Sequence, residues 1–232
     1  MQDVINNKMI CSKIISVFFV FCISVFCSSL VQAGNTAGDV LRVTGRATVT
    51  SPDGEIRSIE KGTEIKSTDI VSTSARSYVR MKMEDDSYIM VRPDSRMVIE
   101  DFKYSENKPE ENRGFFSLLK GGFRAVTGLI KNKKKYRYNT SVATIGIRGT
   151  EFSVRVCAYD CYDVDPVPDN GLFLEVIDHD VIITTKAGEF TFTKGQFAYV
   201  AGPDSPAVML DQVPDVFDQT PIPPADPSGC GE

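Results

Sequence analysis

The chain has 232 residues, 42% of them apolar, and a net charge of −5. That length allows one large domain or two small ones, and the apolar share is enough for a core. The acidic balance excludes nucleic acid as the main partner, because phosphate contacts need a concentrated basic surface.

The first 33 residues stand apart. Lys8 and Lys13 give a positive start, residues 14–31 (IISVFFVFCISVFCSSLV) are apolar, and "VQAG" offers a small-residue cleavage point after Ala33. The pattern predicts a secretory signal peptide over 1–33. The competing reading is an uncleaved membrane anchor, since the apolar run is nearly long enough to span. Cys22 and Cys27 each follow phenylalanine, which argues against a lipoprotein. Removing the leader takes away Lys8, Lys13 and Asp3, so the net charge moves from −5 to −6. It also removes Cys11, Cys22 and Cys27 and leaves Cys157, Cys161 and Cys230.

From residue 34 to 205 almost nothing reads as helix. Short β-branched and aromatic runs recur between Gly, Asp, Ser and Pro. "VLRVTGRATVTSPDGEI" reads as a strand, a bend at Gly45, a second strand and a turn at Pro52–Gly54. "SYVRMKMEDDSYIMV" puts Val79, Met81 and Met83 on one face, turns at Asp85–Asp86 and returns through Ile89 and Val91. "SRMVIEDFKYS" continues it, and residues 103–113 (KYSENKPEENR) are a charged loop. In "GFFSLLKGGFRAVTGLI", Gly121 and Gly122 argue for two strands, or a strand and a turn. Lys131–Arg137 (KNKKKYR) reads as a solvated loop, or as a contact to an anionic envelope component. "GLFLEVIDHDVIITTKAGEFTFTKGQFAYV" is a ladder with turns near Asp178–Asp180, Ala187–Gly188 and Lys194–Gly195. Residues 206–232 are Pro-rich and read as an extended tail.

This spacing predicts an all-β domain of short antiparallel strands, a sandwich or a wound, solenoid-like sheet. A faint internal echo favours winding over a Greek key. Val40 and Val43 line up with Phe173 and Val176, Gly54–Ile56 with Gly188–Phe190, and Lys61–Gly62 with Lys194–Gly195.

In an oxidising compartment Cys157 and Cys161 invite a disulfide. Four extended residues span roughly 13 Å, whereas a disulfide needs Cα atoms about 5.5–6 Å apart. The chain must therefore turn at once through Ala158, Tyr159 and Asp160. The alternative, a CxxxC metal site, lacks a second pair of ligands, since the chain has one histidine. That residue, His179, sits in a predicted hairpin turn with no nucleophile pattern around it. No GxSxG, HExxH, P-loop or GxGxxG spacing occurs. The chain reads as a non-enzyme without a cofactor.

"NTSVATIGIRGTEFSVRVC" (139–157) is the densest stretch. Glycine inside a strand marks a bulge, a bend or a close backbone approach. Gly146 and Gly149 together predict a corner where the chain changes sheet. Arg148 between them is expected to be largely buried, donating to carbonyls or pairing with Glu151 or a nearby Asp. The alternative is a ligand-binding arginine.

"VATIGIRGTEFSVRVC" strongly resembles the signature of the FecR family, sensory regulator domains named for ferric citrate signalling. "LRVTGRATV" resembles the family's opening strand pair, and "GTEIKSTDIVSTSARSYVRMKMEDDSYIMVRPDSRMVI" its central block. "LLKGGFRAVTGLI" resembles its glycine-rich lead, and residues 171–200 its closing ladder. The resemblance covers roughly residues 38–202. Ser141 departs from it where a proline commonly precedes the motif. The resemblance assigns Gly146, Arg148, Gly149, Thr150 and Glu151 to the signature.

Full FecR regulators resemble a three-part machine: a cytoplasmic anti-sigma segment, one membrane span and a periplasmic sensing domain. Only 13 residues precede the apolar segment here, so no anti-sigma segment is expected. The resemblance then implies a stand-alone periplasmic module that binds an envelope protein or polymer. It would touch the membrane only through an uncleaved leader. The alternative is a structural cell-envelope scaffold without a signalling role.

Overall fold

The computed structural model describes residues 35–217, Lys133 by its backbone alone, all within the compact unit Gly34–Glu232. The leader, its Ala33 cleavage point and Cys230 lie outside the described residues. Seventeen strands run in order through the described residues. They are β1 (Thr36–Thr44), β2 (Ala47–Thr50), β3 (Ile56–Ser58), β4 (Glu64–Lys66), β5 (Ile70–Thr73), β6 (Tyr78–Met83), β7 (Tyr88–Val91) and β8 (Arg96–Lys103). There follow β9 (Arg113–Val126), β10 (Tyr136–Thr140), β11 (Thr144–Ile147), β12 (Glu151–Cys157) and β13 (Gly171–Asp178). The last are β14 (Val181–Thr185), β15 (Gly188–Phe192), β16 (Phe197–Val200) and β17 (Val208–Leu210).

Two layers result, and they share one strand. The first sheet has the order β4-β1-β6-β7-β9-β12-β13-β16-β17. The second has the order β3-β2-β5-β8-β9-β10-β11-β14-β15. The first part of β9 pairs with β8 and β10 in the second sheet, and its last six residues pair with β7 and β12 in the first. The Gly121–Gly122 pair therefore bends a single long strand from one layer into the other. The all-β class is borne out as a sandwich-like, open sheet that winds from layer to layer.

Strand parity explains the layering. Val79, Met81 and Met83 are buried while the residues between them are half exposed. The same alternation in β5, β7, β11 and β16 turns one apolar row of each strand inward. Those rows form one core between the sheets.

The basic run is only partly a loop. Tyr136 and Arg137 open β10, which pairs in parallel with β9, and Tyr136 is buried. Lysines hid a strand whose tyrosines face inward. The region expected as a tail also starts inside the fold. Its residues 208–210 form β17, and Val216 and Phe217 are buried.

The internal echo is present in the hydrogen bonds. Gly62 N–H donates to Val40 O at 2.7 Å, and Gly195 N–H donates to Val176 O at 2.8 Å. Glu60 N–H bonds the Thr63 hydroxyl at 2.9 Å, and Thr193 N–H bonds the Gln196 side-chain oxygen at 2.8 Å. Both copies run β-strand, layer change, hairpin, layer change. The bonds equate Val40, not Val43, with Val176, so the strand part of the sequence alignment is out of register.

Candidate functional site

The signature stretch does build a corner. β11 lies in the second sheet and β12 in the first, and the change happens at Arg148–Thr150. Gly149 has φ +73°, the left-handed region that glycine enters without a Cβ penalty. Gly146 does not have this role: a Cβ there would meet nothing closer than Ile182 at 3.9 Å. The expected steric demand at Gly146 is thus corrected.

Arg148 is corrected as well. Its side chain is exposed, and among the described residues it makes no hydrogen bond or ion pair. The backbone does the fastening. Arg148 N–H donates to Asp180 O at 3.2 Å, and the buried Thr150 hydroxyl donates to the same oxygen at 2.8 Å. Thr150 N–H donates to the Thr127 hydroxyl at 2.8 Å, and Thr127 N–H donates to Thr150 O at 3.1 Å. Glu151 pairs with Arg124, whose Nε and Nη2 donate to one carboxylate oxygen at 2.9 and 2.6 Å. Sequence reasoning missed Arg124. The strand register brings the pair together, because Arg124 faces Ser153 and Glu151 is the diagonal neighbour on the same face. His179 lies at this corner, where β13 of the first sheet passes to β14 of the second, and not in a hairpin.

Two substitutions separate these roles. Arg148→Ala is expected to change stability by less than about 0.5 kcal/mol, as for an unpaired surface residue. Thr150→Ala removes a buried donor from Asp180 O and is expected to cost about 1–3 kcal/mol. Thermal unfolding of the two variants checks both. Equal losses would return Arg148 to the role of a fastening residue.

A second feature lies on the outer face of the first sheet. Cys157 and Cys161 form a disulfide with a Cα–Cα distance of 5.5 Å, closing the tight turn expected for them. The cysteines are thereby unavailable as metal ligands. The stapled loop and the segment 214–217 fold over outward-facing side chains of β12, β13 and β16. Cys157, Cys161, Val164, Phe173, Val216 and Phe217 make a small second core, with Tyr199 and Leu210 packed against it.

Two arginines are held under the 214–217 segment. Arg92 is 2% exposed, its Nη2 donates to Val216 O at 3.4 Å, and its guanidinium lies 5.8 Å from the Phe217 ring. Arg155 donates to the same carbonyl at 3.4 Å and to Asp163 at 2.5 Å. Burial, and then the neighbouring Arg155, push the Arg92 pKa down. One edge of this assembly stays open. A cleft of about 360 Å³ is floored by Phe173 and Tyr199 and walled by Val164, Pro168, Leu210 and Pro214, with Asp169 and Asp215 on its rim. Tyr159 inside the disulfide-closed turn and Tyr162 just after it are 80% and 75% exposed.

Residues 69–161 match the family model described as FecR protein. The match runs from the layer change before β5 to the second cysteine of the disulfide. No curated protein matches the chain. A solved structure described as a cell surface anchoring domain overlaps 27% of this chain and 83% of its own, at 27% identity and TM-score 0.27. A candidate anti-sigma factor from Parabacteroides distasonis ATCC 8503, solved twice, overlaps 61% of this chain and 58% of its own, at 10% identity and TM-score 0.47. These overlaps are loose, and the fold stands on its own strand pairing.

Proposed function

This chain carries a FecR domain, and we propose that it is an exported, non-catalytic interaction module of the cell envelope. Its partner meets the stapled outer face of the first sheet. The observation that supports this reading is the half-open apolar cleft. Large exposed aromatic side chains beside a concave apolar site mark a place where another molecule is received. The signal peptide reading supports a periplasmic location, and an oxidising compartment suits the Cys157–Cys161 disulfide.

Expression of the full chain in a Gram-negative host tests both halves. The mature protein is expected in the periplasmic fraction, with Gly34 as its first residue by intact mass. Recovery from the cytosol, or a retained Met1 in the membrane fraction, would overturn free export. A photo-crosslinking residue at Val167, which is 58% exposed, is expected to give discrete adducts that Tyr162→Ala removes. The same residue at Ile56, exposed on the second sheet, is the control. Adducts at Ile56 alone, or equal ones at both sites, would replace the module with the scaffold.

A further inference from the structure

Four strands end the two sheets among the described residues: β4 and β17 in the first, β3 and β15 in the second. An edge strand presents unpaired N–H and C=O groups, and folded proteins blunt such edges with charge. Three of the four do so. β3 carries Arg57, β4 carries Glu64 and Lys66, and β15 carries Glu189. β17 is Val208–Met209–Leu210 and carries none. Length does not set it apart, since β3, β4 and β17 all have three residues. Val208 is 46% exposed and Met209 58%.

This bare edge adjoins the cleft. β17 pairs with β16 by Phe197↔Leu210, Ala198↔Met209 and Tyr199↔Val208. Val208 and Leu210 therefore share the outer face with Tyr199, and both Leu210 and Tyr199 line the cleft. Acidic residues flank it: Asp211 follows the strand, and Asp169 and Asp215 stand at the cleft, while Asp204 before the strand is already paired with Lys186 at 2.9 Å.

We propose that β17 accepts an extended segment of a partner protein as the next strand of the first sheet. This rests on the reading of the chain as an interaction module. The segment's backbone pairs with the free side of β17, and alternate apolar side chains enter the cleft. Lysine or arginine flanking them meets the acidic rim. Main-chain hydrogen bonds supply affinity in such strand addition, and the side-chain pocket supplies specificity. A second copy of this chain fits less well, because its own β17 brings the same Asp211 against that rim and no lysine or arginine of its own. Residues 218–232 also fit less well, since they hold Asp218, Asp226 and Glu232 and no lysine or arginine.

The test uses the isotope-labelled protein expressed from the full chain and a synthetic octapeptide of alternating valine and threonine with lysine at both ends. Amide shifts and slowed exchange are expected at Val208–Leu210, with ring shifts at Tyr199. A control peptide with glutamate in place of lysine is expected to bind about tenfold more weakly. The double variant Val208→Lys, Met209→Lys alters only exposed side chains and is expected to keep its melting temperature. It should bind the lysine peptide about tenfold more weakly. Equal binding by the variant, or shifts confined to β3, β4 or β15, would overturn the proposal. So would a dimer in sedimentation that the double variant dissolves, which would assign the edge to a second copy. Peptide seated on β17 without cleft adducts in cells would sink the module reading and leave the edge assignment standing. Adducts in cells without peptide on β17 would do the reverse.

Discussion

Tyr138→Ala is expected to cost about 3–5 kcal/mol, the range for deleting a large buried side chain. Tyr138→Phe is expected to keep or raise stability. Tyr138 on β10 is fully buried where β9 passes from one sheet to the other. Its ring stacks between Phe116 at 4.9 Å and Phe123 at 5.1 Å, and meets Phe152 edge-on at 5.2 Å. Phe116 belongs to the second sheet, Phe123 and Phe152 to the first, so this ring holds the layers together at their shared strand. Its hydroxyl has no hydrogen-bond partner among the described residues, and an unpaired buried polar group costs about 1–3 kcal/mol. Removing the oxygen alone relieves that cost and keeps the stacking. Burial holds the phenol pKa well above the ordinary tyrosine range. The folded state then keeps its proton where the unfolded chain loses it, so stability falls as pH rises past about 10. The Phe variant lacks this contribution and should lose less stability in alkali. Thermal melts of wild type and both variants at neutral pH and above pH about 10 decide it. A Phe variant as unstable as the Ala variant would mean that the hydroxyl is bonded and needed.

Much of this fold was legible because a strand reports its buried face every second residue. Val79, Met81 and Met83 needed no structure, and the Cys157–Cys161 turn followed from strand length once the two cysteines were taken to pair in an oxidising compartment. The corner at Gly149 was legible for the same reason, because two glycines interrupt a strand rhythm. Arg148 was not. At this layer change the residue between the strands, Arg148, points its side chain to water. The corner is therefore closed by backbone amides and by Thr150, and the arginine is left outside. β10 was obscured by its charge, since three consecutive lysines outweigh two inward tyrosines in any reading by composition. The cleft could not be read at all. Its residues come from 164–173, 199, 210 and 214–216, and only the pairing of β13 with β16 and of β16 with β17 brings them together.

Gly121→Ala is expected to lower stability by about 2–6 kcal/mol when backbone strain and a broken buried hydrogen-bond set are combined. Gly121 has φ +79°, and a Cβ there would stand 2.2 Å from the Ser95 hydroxyl and 2.8 Å from the Ser95 Cα. Ser95 cannot move freely. Its hydroxyl oxygen accepts from Gly122 N–H at 2.8 Å, and its own N–H donates to the Thr73 hydroxyl at 3.0 Å. Thr73 N–H in turn donates to Ser95 O at 3.0 Å. Shifting Ser95 therefore disturbs β5, β8 and β9 together, at the point where β9 changes sheet. A loss of this size is a large share of an ordinary domain's stability of about 5–15 kcal/mol, so the variant should accumulate poorly. Gly54→Ala supplies the control. Gly54 has φ +87° with nothing within 4 Å of a Cβ, so that substitution carries only the backbone penalty of about 1–2 kcal/mol. Melting temperatures of the two alanine variants isolate the crossing itself. Equal drops would mean that backbone conformation alone demands glycine at 121, and that the close approach of Ser95 does not.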